Sequence, residues 1–463
     1  MFCLLHPPNK VLFVAGFGSS MFFGTFIGSL ADRLGRKRFC LLYAALYVLS
    51  CMTKHFRNYW ILMVGRLLGG VSTSLLFSVF DAWMVFEHNK RGFDPEWMSG
   101  TFSFAAFGNS LVAIGAGMLA QAAADVQPLT SFSEDGDMMY GGFCAPFDLA
   151  ICILVGGAAV MHATWGENYG SDTTNSSNDD DDDAGKGAAE ALEAGEASSG
   201  KDAAATDALL GSDQPPPEEE SKPPASSELT MANLMDVRGL QRGLEIMQRD
   251  PTILCCGLLQ SLFEGSMYIF VFMWTPALTP GGGGGHGGGG GDESTEPPPY
   301  GQMFATFMLM CMCGSSCYSI LSKLYAAEDL LLRVFLVSAA ALAVPVLAPG
   351  NISGTYMAFL LFELCVGIYF PCMGTMKSGI VPEESRAALY NLFRVPLNVI
   401  VLGVLLSDMS STVAFSWSSA LLLSGAGMQF YLANRLKAAK SLADQSAKSQ
   451  SGNLDDILST DRD

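Results

Sequence analysis

The chain has 463 residues, of which 50% are hydrophobic and only 15% charged. A soluble domain carries about 25% charge. The apolar residues here form continuous blocks near the ~20 residues that cross a bilayer core, without the alternation of a membrane β-barrel, so both of those classes are excluded. The net charge of −19 is concentrated in one place, since residues 166–228 hold 17 Asp and Glu against three Lys, a solvated low-complexity run and not an acidic binding surface.

In chain order, residues 10–31 form the first apolar span. Residues 28–38, reading GSLADRLGRKR, follow as a tight turn with five charges in seven residues: Asp32, Arg33, Arg36, Lys37 and Arg38. Gly28 and Gly35 suit close backbone approach or a sharp turn. Further spans are expected at 39–56, 59–84, 98–124 and 146–165. The third carries a small-residue cluster (Gly65, Gly69, Gly70, Ser72, Thr73, Ser74) of the kind that lets transmembrane backbones touch. An acidic Ser/Ala/Pro/Glu-rich linker runs over 166–249, with a short helix expected at 229–248. Six more spans are expected at 252–274, 302–321, 330–348, 355–376, 387–407 and 412–432, then a disordered polar tail from 435.

Loops on one side collect Arg33, Arg36, Lys37, Arg38, Lys90, Arg91, Lys323, Lys377 and Arg386, whereas the other side has only Lys54 and Arg57. The basic side is therefore read as cytoplasmic, with the linker and C-terminus on it. The 12 cysteines lie mostly inside apolar blocks and match neither a disulfide framework nor a zinc spacing. The glycine loop 281–291 around His286 has no preceding strand and no following Lys-Ser/Thr, so it is not a phosphate cradle. Asn351-Ile352-Ser353 is an outer-side glycosylation sequon; Asn175-Ser176-Ser177 falls on the inner side. No cofactor, metal, nucleic-acid partner or enzyme constellation is expected.

The run Gly-x-Leu-Ala-Asp-Arg-x-Gly-Arg-Lys resembles the loop between the second and third helices of major facilitator transporters. Further segments resemble the molybdate-anion transporter family, the branch called major facilitator domain-containing protein 5 in animals. They are GRLLGGVSTSLLFSVFDAW at 65–83, Glu87-His88, EWMSGTFSFAAFGN at 96–109, WGENY at 165–169, QSLFEGSMYIFVFMWTPAL at 260–278, ELCVGIYFP at 363–371 and NLFRVPLN at 391–398. The resemblance implies an all-α polytopic fold of two helical-bundle halves, in the plasma membrane, that takes up molybdate. It implies twelve spans where eleven are visible, because only one span precedes the turn. The expected organisation is an N-terminal half at 1–165, the linker at 166–249, a C-terminal half at 250–434 and the tail at 435–463. Rival readings are a carrier of another oxyanion such as sulfate, and a non-transporting sensor or scaffold with the linker as its output.

A tetrahedral dianion crossing a hydrocarbon slab needs cations or oriented donors, and charges inside spans are costly enough to be functional hypotheses by default. Arg66 and Arg394 are the candidate substrate ligands, since a guanidinium presents several donors in a planar fork; for Arg66 the resemblance to the superfamily leaves open a role in holding neighbouring backbone or in proton coupling. Asn391, Arg394 and Asn398 recur at helical spacing and share a face beside Pro396. Glu264 and Glu363 are candidates either to carry a coupled proton or to neutralise an arginine. Asp81 is expected to pair with Arg33 or Arg36. With Gly28, Asp32, Gly35 and Lys37 these form a conformational switch loop.

Overall fold

The computed structural model describes residues 7–132, 137–170, 237–279, 300–407 and 409–460. Most of the acidic run, the Asn175 sequon and the glycine loop with His286 lie outside the described residues. The first half contains α1 (Pro7–Leu34), α2 (Arg36–Met52), a 3₁₀ turn (Thr53–His55), α3 (Tyr59–Leu76), α4 (Val79–Lys90), α5 (Glu96–Asp125) and α6 (Ala145–Thr164). A two-residue antiparallel pair, Thr130–Ser131 with Met139–Tyr140, closes the α5–α6 loop. After α7 (Val237–Arg249) come α8 (Pro251–Leu278), α9 (Tyr300–Leu321), α10 (Ala327–Leu347), α11 (Ile352–Ile380), α12 (Arg386–Leu406) and α13 (Ser411–Thr460).

Among the described residues, nine helical segments are long and apolar enough to cross a membrane. The other two expected spans fall on α2 and α13. At 17 residues, α2 is about 26 Å long, just under the thickness of a bilayer core. The described residues are thus all-α apart from the small hairpin. α6 has no buried residue and turns Ile153, Val155 and Val160 outward, as a lipid-facing helix does.

Two elements differ from expectation. The span at 59–84 is not one helix: it breaks between Leu76 and Val79. The run before the break is rich in Gly, Ser and Thr, and Ser78 Oγ donates back to the Ser74 carbonyl at 2.7 Å, a local bond that competes with the helical ladder. The tail expected to be disordered from 435 continues α13 to Thr460. Its Ala, Lys, Leu and Gln are strong helix formers, and it contains no proline. The linker helix, expected at 229–248, covers Val237–Arg249, with 229–236 outside the described residues.

The second half has the larger core. Phe263 on α8 stacks on Tyr369 of α11 with ring centres 3.8 Å apart, and Phe270 packs edge-on to Phe359 at 5.0 Å. The halves meet along two seams. On one, α1 packs on α12. A methyl group on Gly28 would lie 2.5 Å from the Ala387 carbonyl, so the seam needs glycine there. On the other, α5 packs on α9 and α11, where Ser103 Oγ donates to the Ser315 carbonyl at 2.7 Å. Small residues let these backbones approach, as in membrane helix pairs generally.

Candidate anion site and its gate

Between the halves lies a cavity of about 480 Å³ lined by residues from α1, α2, the 3₁₀ turn, α3, α6, α8 and α12. Small residues make the room: Gly16 and Ser20 on α1, Gly65, Gly69, Gly70 and Thr73 on α3. Arg66, Lys54 and Arg394 all line this space, and no Asp or Glu does. Arg66 sits about 10 Å along α3 from its start, and Arg394 about 12 Å along α12 from the opposite end of the bundle. Both arginines, each a candidate anion ligand by sequence, line this one cavity. Arg66 lies over the Phe13 ring with its Cζ 4.5 Å from the ring centre. A cation over an aromatic face gains stabilisation that does not use up its hydrogen-bond donors.

Arg394 is 2% exposed and is held from both halves. Its Nη1 lies 3.4 Å from Glu264 Oε2 on α8. Its Cζ lies 4.2 Å from the centre of the Phe77 ring, at the break between α3 and α4. Its Nε is buried with no hydrogen-bond partner among the described residues, a spare donor of the kind an anion would accept from. Tyr369 OH lies 3.5 Å from the other oxygen of Glu264, so that carboxylate is positioned by two groups. Glu264 itself does not line the cavity.

The other candidates are placed differently. Asn391 is not among the lining residues: its Nδ2 donates to Ser78 Oγ at 2.9 Å and to the Ala387 carbonyl at 3.2 Å. It therefore bridges α12 to the α3–α4 break. Asn398, 1% exposed, also does not line the cavity, and its Oδ1 is buried without a partner among the described residues. Glu363 is buried on α11 and forms no ion pair among the described residues.

At the other end of the bundle the basic turn locks the halves together. Asp32 accepts hydrogen bonds from the backbone N–H of Ala387 at 3.3 Å and of Ala388 at 3.0 Å. A carboxylate at a helix N-terminus satisfies orphan donors and complements the helix dipole. Arg36, fully buried, pairs with Asp32 at 2.8 Å and with Glu383 of the second half at 2.7 Å. Asp81, expected beside Arg33 or Arg36, instead lies 4.0 Å from Lys377 on α11, because Arg36 is already occupied by two carboxylates. Arg33 is exposed.

The segment 165–170 packs onto this turn, a contact with no counterpart in the sequence reading. Trp165 stacks on Trp83 with ring centres 3.8 Å apart. The Glu167 carboxylate accepts from the N–H of Lys37 at 2.7 Å and of Arg38 at 3.3 Å, in the first turn of α2. Burial raises the Glu167 carboxyl above the usual carboxylate range, against these bonds, which favour its ionised form. Lys37 Nζ donates to the Trp165 and His162 carbonyls. Gly35, at φ +112°, supplies a backbone conformation that side chains resist.

Comparison with known proteins agrees with this architecture. A family described as sugar transporters with 12 transmembrane segments matches residues 6–198 and 231–368. The chain is 31% identical over 410 residues to the molybdate-anion transporter of Xenopus tropicalis, covering 87% of this chain and 71% of that protein. It is 31% identical over 414 residues to that of Danio rerio, with 87% and 72% covered. Among solved structures, the human organic anion transporter MFSD10 superposes with a TM-score of 0.57 at 15% identity, over 90% of this chain and 83% of that one. The Escherichia coli fucose:proton symporter gives 0.55 at 14% identity, over 93% and 94%.

Proposed function

We propose a cargo and a route from one premise: the chain belongs to the molybdate-anion transporter family and is a multi-pass membrane transporter of the major facilitator fold. The cargo is molybdate, taken inward across the plasma membrane. The observation that carries this reading is the cavity lined by Arg66, Arg394 and Lys54 with no carboxylate among its lining residues. Such a cavity repels cations and suits a tetrahedral dianion.

The route is alternating access between two halves, with the substrate at their interface. The end bearing residues 28–38 faces the cytoplasm, because short cytoplasmic loops collect Lys and Arg. In this conformation Asp32, Arg36 and Glu383 close that end, and the cavity lies towards the opposite, outer end. Arrival of the anion between Arg66 on α3 and Arg394 on α12 draws the halves together there and favours release of the inner latch. Asp81 and Lys377, facing each other across the same end, belong to that latch.

Coupling to a proton falls to Glu264 and not to Glu363, because Glu264 is in contact with a cavity arginine. Protonating Glu264 frees Arg394 for the anion, so proton and anion enter together. The test is uptake of labelled molybdate into cells lacking their own carrier. Uptake above control cells supports the reading. Equal competition by sulfate turns it towards a general dianion carrier, and binding without uptake towards a sensor.

A further inference from the structure

Lys54, a loop charge by sequence, is a third cation of the cavity. It lies past the end of α2, in a turn tied to two neighbouring helices. Thr53 packs into the space left by Gly65 on α3, where a methyl group would overlap its hydroxyl, and its Oγ1 donates to the Ser50 carbonyl at 2.7 Å. His55 Nε2 lies 2.9 Å from Asp148 on α6, and its Nδ1 lies 3.3 Å from the Met52 carbonyl. The residues on both sides of Lys54 are thereby anchored, and its side chain lines the cavity beside Arg66. Lys54 and Arg66 have no carboxylate within ion-pair distance among the described residues, whereas Arg394 has Glu264.

We propose that Lys54 sets the charge selectivity of the site. Together with Arg66 it supplies two positive charges that no carboxylate neutralises in this conformation, the number that balances a dianion, while Arg394 stays paired with Glu264 until that carboxylate takes up its proton. This deepens the anion-transport reading and rests on it. Burial, and next the charge of Arg66, push the Lys54 ammonium down to about 8, as expected of two cations held together until an anion joins them. The other titratable groups at this place are Tyr47 and Cys51 on α2, His55 in the turn, Cys144 and Asp148 at the start of α6, and Tyr268 and Arg394 across the cavity.

The test compares two tetrahedral oxyanions of different charge, the dianion molybdate and the monoanion perrhenate. Purified full-length chain in proteoliposomes is assayed for molybdate uptake and for its inhibition by perrhenate, as wild type, Lys54→Met and Lys54→Arg. A hydrogen bond between charged groups is worth enough to change affinity by about tenfold or more. Lys54→Met is expected to raise the KM for molybdate about that much while inhibition by perrhenate is retained, so the preference for the dianion collapses. Lys54→Arg is expected to keep it. Equal weakening towards both anions, or no change towards either, with wild-type uptake intact, overturns the role of Lys54 and leaves the transport reading standing. Absence of molybdate uptake by the wild type overturns the transport reading, and this inference with it.

Discussion

Glu264→Gln separates a substrate-binding arginine from a merely structural one. The carboxylate stands 3.4 Å from Arg394 Nη1, and both side chains are under a tenth exposed. At an effective dielectric constant of about 20, unit charges at that distance attract by about 5 kcal/mol. The amide variant deletes that attraction and leaves a buried guanidinium without a counter-charge, a change that costs a folded protein about 3–5 kcal/mol. A bound dianion restores the missing charge. If only a third of the attraction is recovered by the anion, about 1.5 kcal/mol, affinity rises about tenfold. The variant is thus expected to melt at lower temperature than wild type without anion and to regain much of the difference with molybdate. Its binding tightens, and its turnover slows because the carboxylate no longer displaces the anion from Arg394. Equilibrium binding of labelled molybdate to detergent-purified protein, with melting curves with and without the anion, measures both effects. An unchanged affinity with the same melting shift at all molybdate concentrations would show that Arg394 never meets the substrate.

Three further outcomes follow from the same geometry. Arg394→Ala is expected to abolish uptake while surface labelling shows wild-type abundance; normal uptake would remove Arg394 from the site. Asp32→Asn removes a charge from the α12 N-terminus and from buried Arg36, weakening the inner latch by about 3–5 kcal/mol; a cysteine placed at Ser29 should then label faster from the cytoplasmic side, and an unchanged rate would contradict the latch. Lys54 is charged below its pKa of about 8 and neutral above it, so uptake should fall as outer pH rises through about 8. Lys54→Arg, which stays charged, should lose less uptake than wild type across that range, the remaining loss being that of the proton coupling through Glu264, and an equally steep loss in this variant would assign the pH dependence elsewhere.

Much of the fold is legible in the sequence because membrane spans are written as contiguous apolar blocks, and their number and order need no long-range information. Arg66 and Arg394 are legible for the same reason: a charge inside such a block stands out. Lys54 is not, since it lies two residues past the end of α2, in the 3₁₀ turn Thr53–His55, and reads as a loop charge. Its signal is that it shares an otherwise cation-poor side of the membrane with Arg57 alone. The partner of Asp81 is not legible, because its place at the same membrane face favours Arg33 or Arg36, whereas Lys377 arrives from the other half by a contact nearly three hundred residues away. The docking of Trp165 and Glu167 on the basic turn has the same origin. Those contacts join a linker edge to a helix start more than a hundred residues earlier, and nothing in local composition marks them. The break at Phe77 and Ser78 has a local signal in the Gly/Ser/Thr run before it, but a membrane helix tolerates such residues too readily for that signal to decide.

The central claim is that the cavity between the halves carries molybdate across a membrane. Purified protein in sealed vesicles, given labelled molybdate outside and an inward proton gradient, tests it most directly. The account expects accumulation above that of protein-free vesicles, saturable and lost in Arg394→Ala; accumulation no greater than in empty vesicles would contradict it.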